Sequence, residues 1–164
     1  MVGNNIRLVG WILGLALLLG FSRVIPHPPN FTPIIAAAVF APMILKDTKL
    51  GIALIFIAML VGDVVHGFHP YMLWTYGSLV GAIIIGTYGK LLFVNALAGS
   101  VLFFIVTNFG VWTSGYYGYT FSGLIACYIA AIPFFVNQFL GTMFYTTGFY
   151  AIKNYQKWLT FAYK

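Results

Sequence analysis

The sequence predicts an all-α protein, a polytopic membrane helix bundle of about six transmembrane helices with both termini on the cytoplasmic side. Three observations predict it. The 164 residues are 62% hydrophobic and only 6% charged, with a mean hydropathy of +0.97, whereas a soluble domain carries about a quarter charged residues to cover its surface. Charges and Pro/Gly clusters cut the apolar sequence into runs that suit about six crossings of a bilayer. The eight Lys and Arg residues sit singly at those cuts and are not gathered on one face. An ordinary water-soluble protein, a disordered chain and a nucleic-acid module are thereby excluded. The length leaves no room for a soluble ATPase or dinucleotide-binding unit, so residues 1–164 read as a single transmembrane domain.

Residues 8–25 form the first span. Arg7 ahead of this run suggests a signal peptide, but the run ends in Gly20-Phe21-Ser22-Arg23 without a clear small-x-small cleavage site, so the segment reads as retained. Arg23 lies where a long side chain reaches the interface. Pro26, Pro28, Pro29 and Pro33 then make a hard break. Thr32 reads as the N-cap of the second span, residues 33–45, with Pro33 as its first helical position. That span is about 20 Å long at 1.5 Å per residue, too short to cross alone unless tilted, shielded or started below the surface. Lys46-Asp47-Thr48-Lys49 is a polar turn before the third span, residues 50–65. The segment His66-Gly67-Phe68-His69-Pro70 leads to the fourth, 71–89, and Lys90 turns the chain into the fifth, 91–110. After the polar-aromatic stretch 112–120, residues 121–152 form the last span, with a break expected near Pro133 because the run exceeds one crossing of about 20 residues.

Orientation follows from the basic residues. With the N-terminus inside, the inner segments hold Arg7, Lys46, Lys49, Lys90, Lys153, Lys157 and Lys164, and the outer ones hold only Arg23. Positive residues favour the cytoplasmic side, so both termini are expected inside, with the lipid bilayer as the main partner.

Three loops then share the outer face and carry most of the chemical variety. His27, Asn30, His66, His69, Trp112 and Tyr116 lie in or beside them, and Asn108 sits at the outer end of the fifth span. Asp63 is the only carboxylate inside a span, and an ionisable residue there is a functional candidate by default. His66, three residues on, shares its helix face. These eight residues are the expected substrate-binding set. Belt aromatics and helix-end hydrogen bonds are the bland alternatives. Small-xxx-small pairs, among them Ala37 and Ala41, suit close packing within the bundle or docking of a partner. No paired carboxylates, Ser-His-Asp set, phosphate-binding Gly loop, HExxH or CxxC is present, and the chain has no Glu. No enzyme activity, cofactor or metal is expected, and the lone Cys127 permits no intrachain disulfide.

The stretches RVIPHPPNFTPIIAAAVFAP, VGDVVHGFHPYM, VTNFGVWTSGYYG and CYIAAIPFFVNQFLGTMFY resemble a bacterial family of small integral membrane proteins of unknown function, with PHPPNFTPI and TNFGVW as its signature. That family is similar, at a greater distance, to the substrate-binding S components of energy-coupling factor (ECF) transporters. This second resemblance implies an outward-facing vitamin-sized pocket and docking on a membrane scaffold subunit driven by two ATPases. It also implies an Ala-xxx-Ala docking face on the first helix, whereas the match here, Ala37 and Ala41, falls on the second span. The expected function is substrate capture for uptake of a small nutrient. The alternative is a structural accessory subunit of a larger integral membrane complex.

Overall fold

The computed structural model describes the backbone of residues 2–162 and the side chains of residues 8–155. Six helices and no strand occur among them: α1 Val2–Ser22, α2 Ile34–Leu45, α3 Thr48–His66, α4 Met72–Tyr88, α5 Leu92–Trp112 and α6 Phe121–Ala162. Three helical stretches, in α3, α5 and α6, are long and apolar enough to cross a membrane; the apolar stretches of α1, α2 and α4 are shorter. Arg7, Lys157 and Lys164, which contribute to the expected orientation, lie outside the described side chains.

The short helix α2 is the hub. It packs against α3, α4, α5 and α6, while α1 lies on the far side of α3. Residues 34–39 of α2 are buried without interruption, as expected of a helix that is apolar all round. Small residues let the neighbours close in. A Cβ at Gly86 of α4 would collide with the backbone carbonyl of Val39, and one at Gly99 of α5 would come within 3.1 Å of the Val39 side chain. Ala37 and Ala41 belong to this core, at 5% and 6% exposure. Their expected role as a docking face is therefore corrected: four neighbouring helices cover α2, and the pair packs the bundle from within.

The exterior is apolar where that of a water-soluble bundle is polar, and the mainly apolar core also holds polar side chains. Asp63, Ser78, Asn95, Ser100, Gln138, Thr142 and Thr146 are buried, whereas Trp11 is 74%, Leu73 79% and Phe144 64% exposed. A soluble monomer rarely exposes apolar surface on this scale.

Two local expectations change. Helix α2 begins at Ile34 with Pro33 as its N-cap, and no side chain caps it, so Thr32 is not the cap. Helix α6 runs unbroken through Pro133, so the expected break is absent. Proline removes one N–H from the helical ladder, and apolar spanning helices accommodate that loss when neighbours and local adjustment re-satisfy the backbone.

The two ends of the bundle differ. At one end, Lys46 takes a left-handed conformation (φ 53°) and Asp47 caps α3, its carboxylate accepting from the N–H groups of Lys49 (2.8 Å) and Leu50 (3.1 Å). Thr48 and Thr87 share a 3.2 Å hydrogen bond that ties α3 to α4, and Lys153 lies 5.9 Å from the Phe40 ring centre. This is the lysine end. The opposite, histidine end carries the long connections before α2, α4 and α6.

Candidate functional site

The segment between α1 and α2 builds the site. Its prolines hold it out of helix, and Asn30 turns it in the left-handed region (φ 64°), a conformation that Asn tolerates better than most residues. The Phe31 N–H donates to the Pro28 carbonyl at 3.0 Å and the Thr32 N–H to that of Asn30 at 3.0 Å. Phe31 reaches α6, where its ring lies 5.9 Å from both Phe144 and Tyr145. A Cβ on Gly141 would come within 3.1 Å of the Phe31 backbone. The loop thus dips into the bundle and α2 starts deep.

Beside that loop lies a cavity of about 510 Å³, within the range of small-molecule sites. It reaches along α6 from Cys127 to Gln138, a depth of about 16 Å at 1.5 Å per residue. Phe103, Phe104, Phe134 and Phe135 contribute apolar wall, and the Phe104 and Phe135 rings pack 4.6 Å apart. Gln138, 4% exposed, donates its amide to both the backbone carbonyl and the hydroxyl of Ser100 at 2.8 Å. Two acceptors on the nitrogen side fix which way the carboxamide faces.

Of the expected residues, His27, Asn30, His66, His69 and Asn108 line this cavity; Asp63, Trp112 and Tyr116 do not. The His27 ring is turned to its own loop, with Nδ1 2.8 Å from the Pro28 carbonyl and Nε2 3.3 Å from that of Arg23. His69 makes no side-chain hydrogen bond among the described residues, and its Nδ1 is sealed from water. Asn108 donates to the Phe104 carbonyl at 2.8 Å, and its own carbonyl accepts from the Cys127 thiol at 3.4 Å. Trp112 packs between Phe109 and Tyr119 with its indole N–H buried and without a partner among the described residues. Tyr116 is 83% exposed, and its neighbour Tyr117 lines the cavity instead.

The expected Asp63–His66 pair is corrected. Asp63 is 1% exposed and bonds elsewhere: Arg23 donates to Oδ1 at 2.8 Å and the Tyr76 hydroxyl donates to Oδ2 at 2.7 Å. His66 Nδ1 instead lies 2.9 Å from the Gly62 carbonyl. A buried carboxylate needs a full partner, and only Arg23 brings both a charge and a second anchor, donating to the Met59 carbonyl at 2.6 Å. Gly62 makes the room, since a Cβ there would collide with the guanidinium. The pair ties α1 to α3, and Tyr76 adds α4.

Arg23, Tyr117 and Gln138 are among the cavity residues that the sequence did not single out for binding. Gln138 follows Asn137 inside an apolar run, and a polar pair at that depth is the signal that could have marked it. Among the described residues no three His, Cys, Asp or Glu side chains gather as a metal site.

The fold and cavity define a helix-bundle protein that encloses a ligand-sized, mixed polar and aromatic space. The chain belongs to the DUF6580 family, a family of unknown function, whose model matches residues 4–162. No curated protein and no solved structure matches it.

Proposed function

We propose that this chain is a membrane-embedded substrate-capture protein for uptake of a small, vitamin-like nutrient. In this reading the six helices all lie in a bacterial cytoplasmic membrane with both termini inside. The observation that carries it is the cavity, which collects His27, Asn30, His66, His69 and Asn108 from separate segments into one space. The apolar exterior suits lipid. The positive-inside rule puts the lysine end in the cytoplasm and therefore the cavity mouth outside. The short α2 fits because it is shielded by its neighbours and starts beneath the dipping loop.

Residues 1–164 hold no phosphate-binding Gly loop, so in this reading energised uptake draws on separate subunits. A scaffold and ATPases of the ECF type are the proposed partners. Ala37 and Ala41 are covered, so such a scaffold would dock elsewhere. The accessory-subunit reading draws on a different observation: Gly10 and Gly14 of α1 face open space beside the exposed Trp11, as a helix-docking face would.

A native mass spectrum of the protein released gently from its own membrane tests the two. Capture is supported by a discrete non-lipid mass on the wild type that is lost on Ala130→Trp, which sets a bulky ring on the cavity wall. Stable large subunits with no small molecule on either form would sink capture and favour the accessory reading.

A further inference from the structure

Resting on the capture reading, we infer that the cavity selects a ligand with an acidic group at Arg23 and His69, a flat aromatic body, and a hydrogen-bond donor that reaches Gln138; cations are excluded. The first ground is an asymmetry of charge. The sequence has two carboxylates. Asp47 caps α3 at the lysine end, and Asp63 lies behind Arg23, outside the cavity wall. No carboxylate lines the cavity, while Arg23, the more exposed partner at 19%, does.

The second ground is unused hydrogen-bonding capacity. A guanidinium has five N–H donors, and Arg23 commits one to Met59 and one to Asp63. The remaining donors can grip an anion in the fork geometry that favours carboxylate or phosphate. His69 is also on the wall; its Nδ1 is closed off, which leaves Nε2, without a partner among the described residues, as the ring atom that can meet a ligand. At the far end, Ser100 holds the Gln138 nitrogen. That leaves the carboxamide oxygen as an acceptor without a partner among the described residues. Between them, Phe104 and Phe135 form a wall suited to a planar ring. A primary ammonium would meet the Arg23 guanidinium with Asp63 screened behind it, would find no carboxylate on the cavity wall, and would be left with the Gln138 oxygen and ring faces.

Matched dansyl probes test this on the full-length protein in nanodiscs of zwitterionic phosphatidylcholine, read by equilibrium dialysis against empty discs. Dansylglycine carries a carboxylate, dansylamide is neutral and dansylcadaverine carries a primary ammonium. Dansylglycine is expected to bind about tenfold more tightly than dansylcadaverine, the scale set by one charge-assisted hydrogen bond. The joint change Arg23→Gln with Asp63→Asn removes both charges without stranding either, and should erase that preference. His69→Phe should reduce it with the Arg23–Asp63 pair intact. Equal retention of all three probes, or a preference for the amine, overturns the ligand class and leaves capture standing. Retention of none above empty discs overturns both.

Discussion

The two ends of this bundle are built from the same apolar helices, yet one is closed and the other is hollow. At the lysine end the α2–α3 connection is two residues, Asp47 caps α3, and Gly86 lets α4 touch the backbone of α2. At the histidine end proline-rich chain replaces the first turns of α2, and Phe31 anchors it on α6. The volume α2 does not fill there becomes the cavity. The difference shows how a hub helix shorter than its neighbours produces a site: sealed at one end, it leaves room at the other. The two carboxylates follow the same division. Asp47 satisfies backbone N–H groups, whereas Asp63 holds the cation that faces the cavity.

Substitutions that break this contrast should rank by what they leave unsatisfied. Asp63→Ala should be the most damaging, by about 3 kcal/mol, because it strands a partly buried arginine; the midpoint of thermal unfolding in mild detergent reads it, and adding Arg23→Gln should recover part of the loss. Gly86→Ala should follow at about 2 kcal/mol, because the new Cβ meets the Val39 carbonyl and α2 and α4 must separate. Asp47→Ala should lose about 1 kcal/mol, the usual value of an N-cap, and should leave probe binding at the opposite end unchanged. Asn108→Leu should weaken probe retention with little change in melting, because its one side-chain hydrogen bond among the described residues is to its own helix. Tyr116→Ala, at an exposed loop position, should change stability by less than about 0.5 kcal/mol. A Tyr116 effect as large as that of Asp63 would show that the loop is held by something other than the bundle.

Much of the fold was legible because its punctuation is chemical. Prolines 26–33, the Lys46–Lys49 turn, the His66–Pro70 segment and Lys90 each mark a real connection. The path of α6 was not legible, because Pro133 reads locally as a stop while the long helix carries it. At the site, the loops and the helix ends beside them named five of the lining residues, since polar and His residues gather there. The fate of Asp63 was hidden because its partner lies 40 residues earlier, in the turn just past α1, and helix-face spacing sees only neighbours such as His66. Gln138 was visible as a polar residue in an apolar run, but its fixed orientation depends on Ser100 across the α5–α6 contact. Ala37 and Ala41 looked like a surface because a small-xxx-small pattern is the same whether the facing helix belongs to this chain or another.

The central claim is that the hollow end faces the environment and the closed end the cytoplasm. Single cysteines placed at Tyr116 and at Lys90, each with Cys127→Ser, test it most directly through labelling of intact bacterial cells with a membrane-impermeant maleimide. The account predicts that Tyr116→Cys is labelled from outside and Lys90→Cys only after the cells are opened. Labelling of Lys90→Cys in intact cells, with Tyr116→Cys protected until lysis, would put the cavity on the cytoplasmic side and contradict capture for uptake.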